Sequence, residues 1–229
     1  MSVKARRTIE EAEVVVGYKT YIELIRPLLE GKEVLSSGMT KEVDRSRTAI
    51  DRALAGDRVV VVSSGDPGVY GMAGIVLELL EKEGLTGRID VEVVPGITSA
   101  TAAAASLGAP LMHDFAVISL SDLLTPWEVI EKRLELAAAG DFVTVLYNPV
   151  SKKRTEQIKT ARDIFLKHKS GSTPVGIVRN AKRAGEEVVI SDLENFLNHS
   201  IDMFSVVIIG NRQTYRSDFF MLTPRGYRI

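Results

Sequence analysis

The chain has no cysteine, which excludes disulfides, thiolate metal sites and cysteine nucleophiles outright. Histidine is almost as scarce. His113, His168 and His199 are the only three in 229 residues, and their wide spacing does not predict a metal site. The polar surroundings of His168 and His199 predict exposure to solvent. Neither sign of charge dominates: 29 Lys+Arg against 30 Asp+Glu leave a net charge of -1, so no global field draws in nucleic acid or an anionic membrane, and neither is expected as a partner. No apolar run reaches the roughly 20 residues needed to span a bilayer, and the charged stretch from Met1 to Glu11 has no apolar centre, which predicts a cytoplasmic protein. Gly-x-Gly-x-x-Gly, a P-loop and any fixed-period repeat are also missing, so ordinary dinucleotide or Walker-type binding and a solenoid are not supported.

What is present is an ordinary globular composition, 45% hydrophobic and 26% charged, over a length that suits two small α/β domains. Periodicity predicts helices over 3–12, 21–29, 41–55, 72–83, 100–107, 127–138 and 155–168, and a short one over 192–197. Strands are predicted at 14–16, 34–35, 58–62, 89–94, 115–120, 142–147, 174–178, 188–190 and 205–209. The run Arg58-Val59-Val60-Val61-Val62 does not alternate, the pattern of a strand buried on both faces of a parallel sheet. Gly108-Ala109-Pro110 breaks the alanine-rich helix before it and predicts a domain boundary, giving domains over 1–110 and 111–229.

Two loops stand out because each follows such a strand, where open α/β sheets bind ligands. Gly65-Asp66-Pro67-Gly68 consists of common turn residues and could be a tight turn alone. Its functional reading is that glycine admits a ligand to the backbone, proline fixes the loop, and Asp66 sets a carboxylate near a sulfonium or amino group. Pro95-Gly96-Ile97-Thr98-Ser99 has the same two readings, since Thr98 and Ser99 could simply cap the next helix. On successive strands the two loops would share one edge. The basic clusters Lys152-Lys153-Arg154 and Arg179 to Arg183 follow strand ends as well, and could be either solvated faces or holders of an anion.

Together these segments resemble a family. Val14-Val15-Val16-Gly17-Tyr18-Lys19-Thr20-Tyr21, Ser64-Gly65-Asp66-Pro67-Gly68-Val69-Tyr70-Gly71 and Val94-Pro95-Gly96-Ile97-Thr98 are similar to the tetrapyrrole methyltransferases. Ser119-Leu120-Ser121-Asp122-Leu123-Leu124-Thr125-Pro126-Trp127, Leu146-Tyr147-Asn148-Pro149, Ile209-Gly210-Asn211-Arg212-Gln213-Thr214 and Thr223-Pro224-Arg225-Gly226-Tyr227 narrow the resemblance to the precorrin-3B C17-methyltransferases and their anaerobic counterparts acting on cobalt-factor III. The resemblance implies a two-domain α/β fold of the class III methyltransferases with a cofactor cleft between the domains, methyl transfer from S-adenosylmethionine to C17 with ring contraction in cobalamin biosynthesis, and a homodimer. Carried over by position, it implies that Gly65, Asp66, Val69, Thr98, Ser99, Asn148 and Ala181 meet the cofactor. Ser119, Ser121, Asp122 and His113 are then candidates for moving protons during ring contraction, Tyr18 and Lys19 for facing the macrocycle, and Arg179 and Lys182 for its carboxylate arms. Relatives usually open with a further strand and a Gly-Pro-Gly-Asp loop just before the segment matching 2–12. A first sheet short of one strand is therefore expected, whether by truncation or by rebuilding around the gap. The alternatives are another methyltransferase of this fold or a tetrapyrrole-binding protein that transfers no methyl group.

Overall fold

A computed structural model of the protein describes residues 1–228, which form two compact units, the first Met1–Thr98 and the second beginning at Ser99.

In the first unit the unalternating valines of β1 (Val14–Tyr18) are buried completely, because β1 lies at the centre of a parallel three-stranded sheet, with β2 (Glu33–Ser37) on one side and β3 (Val59–Val62) on the other. Helix α1 (Val3–Glu11) starts at Ser2, whose hydroxyl accepts the N–H of Ala5 at 3.1 Å, a side-chain cap of the usual N-terminal kind. Its Ile9 packs with Val15, Ile22, Ile25 and Val62. Helices α2 (Lys19–Leu24), α3 (Glu42–Leu54) and α4 (Ala73–Lys82) complete the unit.

The width of the sheet limits two expectations. β3 packs on both faces, Val60 and Val62 with the cluster of Val15 and Val59 and Val61 with that of Val14 and Val16, but as an edge strand it leaves Val59, Val60 and Val61 only half-buried. Residues 89–94 form no strand of the sheet: Ile89 packs beside Ile50, Leu79, Leu80 and Leu85, while Val91 and Val93 are exposed. β-propensity describes fit to a pleated, half-buried surface, and without a neighbouring strand it does not make one.

The second unit is built on a five-stranded sheet in the order β5-β6-β9-β7-β8, formed by β5 (Phe115–Ser119), β6 (Val143–Tyr147), β7 (Pro174–Arg179), β8 (Glu187–Asp192) and β9 (Ser205–Ile209); a small second sheet joins β4 (Gly108–Ala109), β10 (Tyr215–Arg216) and β11 (Met221–Leu222). Strands β5, β6 and β7 run one way, β8 and β9 the other. The two-residue period of the strands divides the core. Leu146, Val207 and Ile209 face α6 (Trp127–Ala139) and α7 (Gln157–Leu166), and Val143, Val145, Val206 and Ile208 face α5 (Ser99–Leu107).

Helix α5 explains why the unit begins at Ser99 and not after position 110. Its Ala100, Ala103, Ala104 and Leu107 are buried in the second sheet's core. The approach is so close that a Cβ at Gly176 on β7 would lie 2.3 Å from Leu107 Cδ1. The helix expected over 192–197 is only the short turn Phe196–Asn198, since β8 continues through Asp192, whose carboxylate then accepts the N–H of Asn195 at 2.9 Å.

Candidate functional site

The carboxyl ends of β1, β2 and β3 lie at one edge of the first unit, as parallel pairing requires. There Asp66 ties the two glycine loops together: one carboxylate oxygen accepts the N–H of Gly68 and the other the N–H of Gly96, each at 2.8 Å. The expected sharing of an edge is therefore present. Asp66 thus holds the backbone of both loops, and each of its oxygens keeps a lone pair for a further donor. Gly96 has no alternative at its position, since a Cβ would sit 1.9 Å from the Gly65 carbonyl oxygen. Gly65 itself has a positive φ of 72°, Val69 donates its N–H to the Asp66 carbonyl, and both are half-buried, as is Thr98. Tyr18, at the end of β1, stands edge-on to Tyr21, while Lys19 is exposed at the start of α2.

In the second unit Ser119 ends β5, and Asn148 follows β6 with φ 50°. Nδ2 of Asn148 donates to the Ser119 hydroxyl at 2.9 Å, and the N–H of Ser121 donates to the same oxygen at 3.2 Å. Arg154 closes the loop from behind: Nη2 donates to the Asn148 carbonyl at 2.7 Å, while its Nε is buried without an acceptor. Burial lowers the pKa of this guanidinium, and the charge of Asp122 opposes the shift. The Asp122 carboxylate accepts from Gln157 at 2.7 Å. Tyr147 accepts the N–H of Ala100 at 2.8 Å, which fixes its phenol at the first turn of α5, beside Ser99. Ala181 lies in the turn after β7, at the same edge as Asn148 because β6 and β7 share a direction.

Of the other expected residues, His113 separates from this group. His113 is exposed beside Asp114, before the amino end of β5, so the strand holds it at the end opposite Ser119. Arg179 is already committed, with Nε on Asp202 at 2.8 Å and Nη1 on Glu187 at 3.3 Å, whereas Lys182 is exposed with its backbone N–H on Glu186. His168 is not free in solvent, because it pairs with Glu135. The sequence reading missed Arg45 on α3, which is 4% exposed. Its signal was the stripe it shares with Ser46, Ala49 and Ile50, one to five residues apart on a helix that otherwise looks polar.

Among the described residues no group of three or more histidines, aspartates and glutamates could hold a metal ion, and no helix is long and apolar enough to cross a membrane. Residues 1–197 match the family described as Tetrapyrrole (Corrin/Porphyrin) Methylases. The chain is 52% identical over 228 residues to the cobalt-factor III methyltransferase of Priestia megaterium, covering 98% of this chain and 42% of that protein. It is 48% identical over 229 residues to the probable cobalt-factor III C(17)-methyltransferase of Salmonella typhimurium, covering all of this chain and 94% of the relative. The chain thus spans less than half of the first relative and nearly the whole of the second. Among solved structures, the methyltransferase CobJ is similar with a TM-score of 0.92 and 38% identity, over 98% of this chain and 93% of that one. With its two α/β units, its interlocked glycine loops and these matches over most of its length, the chain belongs to the tetrapyrrole methylase family.

Proposed function

We propose that this protein transfers a methyl group from S-adenosylmethionine to C17 of cobalt-factor III and promotes the accompanying ring contraction in cobalamin biosynthesis. The observation that carries this reading is the full-length similarity to a probable cobalt-factor III C(17)-methyltransferase, 94% of which the chain covers. The donor set suits such a cofactor. The first unit offers the peptide groups of Gly65, Asp66 and Val69 and the Thr98 hydroxyl, and the second offers Ser99, the Asn148 carboxamide and the Ala181 backbone. These are uncharged hydrogen-bonding groups, as an adenosyl moiety requires. The cofactor would supply an activated methyl on a sulfonium. Methyl transfer disperses charge, so the protein contributes mainly orientation and exclusion of water, and no nucleophilic side chain is needed.

Two bonds support a part for Ser119 in this reading: its oxygen accepts the N–H groups of Asn148 and Ser121, which leaves its own O–H to act as a donor. In this reading Ser119 presents a proton to a ring substituent, with Ser121 and Asp122 beside it and Tyr18 and Lys19 at the edge of the first unit. A homodimer in the cytoplasm is part of the same proposal, by analogy with the family.

The test is to incubate the purified chain with S-adenosylmethionine and cobalt-factor III and follow the mass and absorption spectrum of the macrocycle. Gain of one methyl group with the spectral change of ring contraction is the expected result. A chain that binds S-adenosylhomocysteine but leaves the macrocycle unmethylated would overturn the assignment.

A further inference from the structure

Among the described residues two cations are buried, and only one of them has a counter-ion. Lys169 is 6% exposed and its ammonium meets Asp141 at 2.8 Å. Arg45 is 4% exposed, yet no carboxylate lies within 4.0 Å of it among the described residues. Arginine is rarely enclosed to this degree without an anion, because the loss of hydration is not repaid by neutral partners. The three nitrogens of Arg45 meet the Ser37 hydroxyl at 3.0 Å, the Gly38 carbonyl at 2.8 Å and the Met72 thioether at 3.6 Å.

These contacts are unequal. A thioether is a weak acceptor on a flexible side chain, so Nη1 holds the partner most easily displaced. Next to Arg45 in sequence, Ser46 is fully buried and its hydroxyl has no partner at all. The place is also telling. Ser37 ends β2, Tyr18 ends β1 with its ring 6.0 Å from the guanidinium carbon, and Met72 follows the Gly65–Gly71 loop. Arg45 therefore stands at the ligand-binding edge of the parallel sheet and nowhere else in the unit.

We propose that a carboxylate of a bound ligand supplies the missing counter-charge, entering at Nη1 of Arg45 in place of Met72. The proposal rests on the methyltransferase reading, in which two ligands carry that group: the macrocycle through its acetate and propionate arms, and the cofactor through its amino-acid end. Arg45 would then fix which arm, or which end, is seated over Tyr18, as a specificity-determining residue.

The experiment is isothermal titration of the full chain, wild type, Arg45→Lys and Arg45→Met, with two pairs of ligands. One pair is cobalt-factor III and its methyl ester, the other S-adenosylhomocysteine and its carboxamide. For the ligand that supplies the charge, Arg45→Met is expected to weaken the acid by about tenfold or more while changing the neutral form less than about twofold, with Arg45→Lys between. The pair that responds identifies the source. Equal losses for acid and neutral forms in both pairs, or no loss in either, would overturn the inference. Should Arg45→Met fail to fold, the Nε–Hε resonance of Arg45 in the wild type, assigned by its absence in Arg45→Lys, gives the same answer: it moves with an acid and not with its neutral form, and a resonance that ignores both acids overturns the inference. Wild-type protein that binds neither acid would overturn the methyltransferase reading together with the inference, whereas normal binding without discrimination at Arg45 would overturn the inference alone.

Discussion

The N–H of Gly96 donates to the carboxylate of Asp66 at 2.8 Å, across thirty residues of chain, and this bond joins the two glycine loops into one edge. A side chain at position 96 would meet the Gly65 carbonyl at 1.9 Å, inside any real contact distance. Gly96→Ala is therefore expected to part the loops, keep the helical circular dichroism signal, and lower methyl transfer by about a hundredfold, the scale of a misplacement near one ångström. A kcat/KM within twofold of wild type would show the two loops to be independent.

Asn148 holds φ 50° and also the Ser119 hydroxyl, and two substitutions separate these roles. Asn148→Gly keeps the backbone conformation and removes the amide, so it should reduce activity with little change in stability. Asn148→Ala loses the amide and in addition strains the left-handed backbone by about 1–3 kcal/mol. Urea denaturation of both proteins, read beside turnover, distinguishes the two effects.

Asp141→Asn should destabilise the second unit by about 2–4 kcal/mol, because it leaves the Lys169 ammonium buried without its anion. Lys169 is held below its ordinary pKa mainly by burial, with Asp141 acting against that shift, so the ammonium depends on this one carboxylate. Denaturant midpoints at neutral pH provide the measurement.

Gly176→Ala tests the placement of α5. A Cβ there would press on Leu107 at 2.3 Å, and overpacking of this kind costs about 1–3 kcal/mol. The loss should appear in the thermal transition of the second unit; an unchanged transition would contradict the close docking of α5 on β7.

The pair formed by Arg179 and Asp202 predicts a pH dependence. Burial would raise the Asp202 pKa, but the Arg179 guanidinium, the N–H of Phe204 and the Ser205 hydroxyl outweigh it, and the net shift is downward from 3.8. Between 3.8 and the lower folded value the unfolded chain binds more protons, so this contribution to stability is complete above 3.8 and is lost as pH falls through the folded value. Arg179→Met should shrink that acid loss, as measured by denaturation from pH 6 down to about 2.

Much of the fold could be read in the sequence because its signals were local. The valines at 14–16, the first helix and the buried strand ending at Tyr147 all depend on near neighbours. The failures depended on distant ones. Whether 59–62 is central or at an edge, and whether 89–94 pairs at all, is decided by how many strands the sheet contains. At the site, glycine and proline marked both loops, but the partners of Asp66 could not be read, nor could the pairing of Arg179 with Asp202. Arg45 was hidden because a charge in a polar helix looks solvated until its buried stripe is traced.

The position of β3 at the rim of its sheet has a practical consequence for handling the protein. Val59–Val62 is a short run of β-branched residues at an edge, only half-covered, with no charged side chain among its four residues to discourage a second chain from pairing there. Concentrated samples are thus at risk of association through this rim, and the oligomeric state should be followed with rising concentration before crystallisation.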